Sequence, residues 1–229
     1  MSLIVVEGLD GAGKSTQIQM LRKYFDENGA GSDFLHFPRM EEPFFGELIS
    51  KFLRGEFGEL KDVNPYLVAM IYAGDRKDAS ELIRKWLDNG KHVLLDRYVY
   101  SNIAYQCAKI DNLSERNKLK DWILRLEFEY FNIPRPTLNI FLDVPFTFTE
   151  AKLGGKRSGT DRDYLNGSSD IHEASLLFQK TVREVYIDTS RSDPSLEIFN
   201  CSDKSGEIMP PIDIFKKILN ILQQKKLVK

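Results

Sequence analysis

Near the start of the chain, Gly8-Leu9-Asp10-Gly11-Ala12-Gly13-Lys14-Ser15 has the residue types and spacing to hold a polyphosphate. The run fits GxxxxGK[ST], is preceded by the apolar stretch Leu3 to Val6, and leads through Thr16 into a helical pattern. That strand–loop–helix context is what the motif requires. Its glycines let backbone N–H groups turn inward onto phosphate oxygens, and the following helix N-terminus adds positive potential. Lys14 is placed to reach the terminal phosphates, and the Ser15 hydroxyl to ligate Mg²⁺. A dinucleotide-binding fingerprint fails here, because Thr16 occupies the third glycine position. The chain also lacks the NKxD that reads guanine in switch GTPases.

A phosphate-binding loop needs an acid nearby. Two apolar runs end in aspartate, Val93-Leu94-Leu95-Asp96 and Ile140-Phe141-Leu142-Asp143. Either fits the Mg²⁺-linked acid beside such a loop. Asp96 is favoured because Arg97, Ser101, Asn102, Tyr105 and Gln106 follow it, and α/β enzymes place ligands beyond the carboxyl ends of strands. Three arginines outside the loop, Arg39, Arg76 and Arg97, sit in polar contexts. Each alone reads as a solvated surface residue. Beside a phosphate loop, they read together as a clamp for a second phosphate, whose geometry guanidinium matches in bidentate fashion.

The elements that position these groups follow from periodicity. Leu3 to Val6, Val93 to Leu95, Leu138 to Leu142 and Leu196 to Phe199 are short apolar runs, with a weaker one at Phe34 to Phe37. They read as strands buried on both faces, hence a parallel sheet. Helical patterns lie between them: Thr16 to Glu27, a long one opening at the Asn64-Pro65 cap and stopping at Asn89-Gly90, one marked by Leu177, Val182 and Val185, and one by Phe215, Ile218, Leu219 and Leu222. Alternating strands and helices predict an α/β fold, with one domain over residues 1–229. Gly154 to Gly167, reading GGKRSGTDRDYLNG, is polar and glycine-rich. It reads either as a solvated loop or as a mobile lid over residues 152–167. The stretch Tyr66 to Tyr72 is apolar on more than one face, the pattern of burial in an interface.

Composition bounds the function. The 229 residues carry 32 Lys plus Arg against 34 Asp plus Glu, a formal charge of -2, which argues against a dedicated nucleic-acid binder. The only cysteines, Cys107 and Cys201, read as reduced buried thiols of a cytoplasmic protein. His36, His92 and His172 have no zinc-ligand spacing. No apolar stretch reaches the ~20 residues of a membrane span, and Met1 to Val6 lacks the basic region of a signal peptide.

Taken together, these residues resemble the thymidylate kinase family. The resemblance rests on Glu7 to Thr16, Phe37-Pro38-Arg39, Tyr72-Ala73-Gly74-Asp75-Arg76, Asp96-Arg97-Tyr98 with Ser101 to Gln106, and a basic segment ending in Asp163-Tyr164. It covers nearly the whole chain in order. It implies a P-loop three-layer α/β/α fold with a mainly parallel five-stranded sheet and a short lid. It also implies transfer of a phosphoryl group from Mg·ATP to thymidine 5′-monophosphate, cytoplasmic location, a homodimer, and no nucleic-acid or membrane partner.

Residue by residue, the resemblance implies that Gly8, Leu9, Asp10, Gly11, Ala12, Gly13, Lys14, Ser15 and Thr16 bind ATP. Asp10 would meet the acceptor's 3′-hydroxyl, and Arg39 and Arg97 its phosphate. Asp96 would support Mg²⁺ and the acceptor. Tyr72 would stack on thymine, Arg76 would bond its 4-oxygen, Ser101 and Asn102 would read the base edge, and Tyr105 would crowd the sugar 2′ position. Two departures matter. Tyr72 stands where the family usually has Phe, and Ala12 where some members carry a catalytic Arg. Members without that Arg supply cations from the lid, which here means Lys156, Arg157 or Arg162. Another nucleoside monophosphate kinase or a deoxynucleoside kinase would share the loop and differ in the acceptor pocket. A nucleotide-binding regulatory module would bind without turnover.

Overall fold

The computed structural model describes residues 1–154 and 175–228. The expected lid, with Lys156, Arg157, Arg162 and Asp163-Tyr164, lies outside the described residues. Five strands form one sheet: β1 (Leu3–Gly8), β2 (Ser32–His36), β3 (His92–Asp96), β4 (Leu138–Asp143) and β5 (Leu196–Asn200). Their order is β2-β3-β1-β4-β5 and every pairing is parallel. The sheet expected to be mainly parallel is therefore wholly so.

The apolar runs split by alternation. Leu3, Val5, Val93, Leu95 and Phe141 face one buried layer, and Ile4, Val6, Leu94, Ile140 and Leu142 face the other. The second layer is covered by α1 (Lys14–Glu27) and α8 (Pro211–Gln224), through Ile18, Leu21, Phe25, Ile214, Ile218 and Leu222. The first is covered by α3 (Pro65–Asp88), α4 (Val99–Cys107), α5 (Leu113–Arg125) and α7 (Leu176–Ser192). Two further helices, α2 (Phe45–Leu53) and α6 (Phe146–Gly154), complete the described α-helices. Helix α3 begins where the cap predicts: the Asn64 side chain accepts the Tyr66 N–H at 2.9 Å, with Pro65 in the first turn.

The sequence reading missed α4 for a physical reason. All nine of its residues are buried, so it carries no amphipathic period. A π-helical turn, Leu126–Tyr130, continues α5, and the Phe131 N–H donates to the Leu126 carbonyl five residues back at 2.8 Å. It places Leu126, Glu127 and Phe128 all in the interior.

Candidate active site

The loop between β1 and α1 turns through left-handed backbone at Gly11 (φ 78°) and Gly13 (φ 86°), a conformation side-chain-bearing residues rarely adopt. Lys14 opens α1 and is buried. Its Nζ donates to the carbonyls of Leu9 at 3.1 Å and Gly8 at 3.3 Å. Burial lowers its pKa, and the Arg97 cation adds to this, against the pull of Asp96, Asp10 and Glu7. Ser15 is exposed at the mouth of the loop.

β3 lies beside β1 with Asp96 level with Val6, so its carboxylate is delivered next to the loop. Asp96 Oδ1 lies 3.9 Å from Lys14 Nζ, and Oδ2 lies 3.4 Å from His36 Nδ1. Burial would raise the Asp96 pKa, but Lys14, His36 and Arg97 outweigh it and hold the group below its usual range. Its Oδ1 is buried with no hydrogen-bond partner. An ionised, under-coordinated oxygen beside the P-loop lysine suits a cation that brings most of its ligands with it, as Mg²⁺ on a polyphosphate does. No cluster of three or more His, Cys, Asp or Glu suited to a metal occurs among the described residues, so an all-protein cage is absent there.

Arg97 follows with φ 65°, a left-handed conformation that costs about 1–2 kcal/mol in a non-glycine residue. Glu7 compensates. This carboxylate, fully buried at the end of β1, accepts the Tyr98 N–H at 3.0 Å, the Ser101 N–H at 3.3 Å, the Ser101 hydroxyl at 2.5 Å and the Tyr186 hydroxyl at 2.9 Å. The Arg97 side chain thereby reaches Asp10 Oδ1 at 2.8 Å, the Ser101 hydroxyl at 3.2 Å and the Tyr105 hydroxyl at 3.3 Å. Tyr105 in turn donates to Asp10 Oδ2 at 3.1 Å. Burial disfavours the Arg97 cation, but Tyr105, Asp10, Tyr186 and Asp96 outweigh it and keep its pKa well above the ordinary value. The result is a permanent, oriented cation beside the P-loop.

The three arginines expected to clamp together are held by different carboxylates. Arg39 donates from Nε to Asp75 Oδ1 at 2.8 Å and from Nη2 to Asp78 Oδ2 at 2.6 Å. Arg76 is buried and bonds Glu127 in bidentate fashion, at 2.5 and 2.7 Å. Ser101 and Asn102, expected side by side at a base edge, also keep different company. The Ser101 hydroxyl belongs to the Glu7–Tyr186–Arg97 network, whereas the Asn102 amide joins Glu127 and the Ala69 carbonyl, each at 3.0 Å. Tyr72 lies half-buried on α3, one turn before Arg76. Sequence reasoning gave no role to Glu7, Asp75, Glu127 or Tyr186. An acid ending an otherwise apolar strand, as in Leu3 to Glu7, and an acid between Leu126 and Phe128, are the signals that mark the first and third.

Comparison with known proteins accords with this geometry. The sequence profile of the family described as thymidylate kinase matches residues 6–212. The thymidylate kinase of Mycobacterium tuberculosis is 32% identical over 185 residues, covering 80% of this chain and 83% of that one. A probable thymidylate kinase of Thermococcus gammatolerans is 30% identical over 227 residues, covering 97% and 96%. Among solved structures, the Candida albicans thymidylate kinase superposes with a TM-score of 0.72 at 25% identity, covering 98% of this chain and 92% of that one.

Proposed function

The chain belongs to the thymidylate kinase family, and on that premise we propose how its cleft carries out the transfer from ATP to thymidine 5′-monophosphate. The products are thymidine 5′-diphosphate and ADP. The observation that supports the reading is the Asp10–Arg97–Tyr105 cluster abutting the P-loop, an oriented cation suited to a second anion beside the loop that would cradle the nucleotide phosphates.

Gly8 to Thr16 cradle the ATP phosphates, with Lys14 neutralising the transferring group. Mg²⁺ bound with ATP supplies further charge neutralisation, and Ser15 and Asp96 are the residues that would hold it. Arg97 and Arg39 bind the acceptor phosphate, Arg39 exchanging part of its contact with Asp78. An acceptor phosphate oxygen attacks the γ-phosphorus in line, the bond to the β–γ bridging oxygen breaks, and ADP leaves. The attacking oxygen is already anionic, so no strong general base is needed. Asp10 orients Arg97 and receives the acceptor sugar hydroxyl. Tyr105 crowds the 2′ position, and Ser101 braces Arg97. Tyr72 stacks on the base, while Arg76 and Asn102 meet its polar edge. One or more of Lys156, Arg157 and Arg162 completes charge neutralisation.

The whole chain acts as one kinase domain in the cytoplasm. No helix among the described residues is long and apolar enough to cross a membrane. Exposed Leu67 and Met70 on α3 support a homodimer.

The test is a coupled ADP-release assay with Mg·ATP and a panel of thymidine, deoxyuridine, deoxycytidine and deoxyadenosine monophosphates, plus unphosphorylated thymidine. Turnover strongest with thymidine monophosphate is expected. Turnover of thymidine in its place would refute the arginine assignment. ATP binding without turnover would favour a regulatory module.

A further inference from the structure

We propose that Glu127, set inside the fold by the π-helical turn, is a positioning residue that makes Asn102 an obligate hydrogen-bond acceptor toward the acceptor base. It thereby selects pyrimidines with a protonated N3 over cytosine. The proposal rests on the reading of the site given above and assigns the element that enforces its base preference.

Three observations carry it. First, the Asn102 Nδ2 group is committed twice, to Glu127 Oε1 and to the Ala69 carbonyl, both at 3.0 Å. Both partners accept only, so the amide cannot turn over without facing its carbonyl to two other acceptors. Second, Asn102 Oδ1 is left buried with no hydrogen-bond partner. A buried acceptor without a donor is costly, and a ligand N–H would satisfy it. Third, Glu127 is itself fully buried; the Arg76 guanidinium donates to both of its oxygens, and Oε1 also accepts from the Asn102 amide. One carboxylate thus fixes both side chains expected at the base edge.

The chemistry follows from donor–acceptor matching. Thymine and uracil present N3–H, a donor, to a carbonyl oxygen. Cytosine presents a bare N3, an acceptor, which a fixed carbonyl repels. A pocket that could turn its amide over would accept both bases. Glu127 prevents the turn. The π-helical turn is the local device, since it brings three consecutive residues, Leu126 to Phe128, inside at the point where Arg76 and Asn102 need an anion.

Two variants test this on the full chain. Glu127→Gln keeps the size and removes the purely accepting character. Glu127→Asp keeps the charge but is one methylene shorter, so it holds Arg76 without also reaching Asn102. For each, kcat and KM are measured with thymidine and deoxycytidine monophosphates. The expected result for Glu127→Gln is a fall of roughly ten-fold or more in the ratio of kcat/KM for the two acceptors, carried mainly by KM. Glu127→Asp is expected to shift the ratio in the same direction by less. Should Glu127→Gln fail to fold, Glu127→Asp decides. An unchanged ratio in the folded variants, beside a wild type that prefers thymidine monophosphate, overturns the proposal and leaves the reading of the site intact. A wild type that does not phosphorylate thymidine monophosphate overturns the reading itself. A wild type that turns over an N3-methylated thymidine monophosphate as well as the parent removes the Asn102 acceptor from base recognition, and the proposal with it.

Discussion

Glu7 holds the strained Arg97 turn, and the size of that effect can be worked out donor by donor. Its Oε1 accepts two backbone N–H groups, from Tyr98 and Ser101, which cannot rotate away. Its Oε2 accepts two hydroxyls, from Ser101 and Tyr186, which can. In Glu7→Gln the amide nitrogen settles on the hydroxyl side, and both hydroxyls turn to accept. The two N–H bonds survive but lose their charge assistance, at about 1 kcal/mol each. Removing a buried charge returns part of its desolvation cost, so a net loss of about 1–2 kcal/mol is expected. Glu7→Leu also leaves both N–H groups buried and unpaired, at about 1–3 kcal/mol apiece, so about 3–5 kcal/mol is expected. The measurement is a urea midpoint at constant m, with kcat/KM for the acceptor on the same samples. Relaxation of the turn displaces the Arg97 side chain, and a shift near 1 Å costs on the order of 100-fold in rate. Gln and Leu variants of equal stability, or a Gln variant with unchanged kcat/KM, would refute the reasoning.

Other perturbations have defined outcomes. Burial pushes the Lys109 ammonium down to about 7, with Nζ donating to Gln106 Oε1 and lying over the Phe52 ring. The unfolded chain therefore takes up this proton first, and stability is lost as pH falls from about 10 toward 7. Lys109→Met is expected to be more stable than wild type by about 1–2 kcal/mol at pH 7 in urea unfolding, with the gap closing by pH 10. A gap that does not depend on pH would contradict this. At Gly74, an added Cβ would lie 2.1 Å from Phe45 Cε1, so Gly74→Ala must displace that ring. A net loss of about 1–2 kcal/mol is expected by thermal or urea unfolding, despite the better helix propensity of Ala. Alanine at the acting residue among Lys156, Arg157 and Arg162 is expected to lower kcat by about 10³-fold with little change in acceptor KM, read by the coupled assay. Near-normal kcat in all three would remove these cations from the mechanism.

Much of the scaffold was legible because its physics is local. Four of the five strands contain short apolar runs, β2 (Ser32–His36) being more polar and giving only the weaker signal at Phe34 to Phe37, and the P-loop and the Asn64 cap are signalled by adjacent residues. The fully buried α4 was not legible, since a helix with no solvent face leaves no period to read. Long-range pairing was hidden as well. Nothing in the sequence joins Glu7 to Tyr186, or Arg76 to Glu127, partners separated by 179 and 51 positions. The arginines were recognised as anion-binding types, but the acids that orient each of them emerge only when the helices pack. Arg97 illustrates both sides: its type and place after β3 are evident in sequence, whereas its left-handed backbone depends on Glu7 across the neighbouring strand.

The most direct test of the central claim is ³¹P NMR of a single mixture of the protein, Mg·ATP and thymidine 5′-monophosphate, with a control lacking the acceptor. Equal growth of ADP and thymidine diphosphate signals, with little inorganic phosphate in either sample, is the expected result. ADP accompanied by inorganic phosphate and no new diphosphate would mean that the cleft hydrolyses ATP without transferring its phosphoryl group.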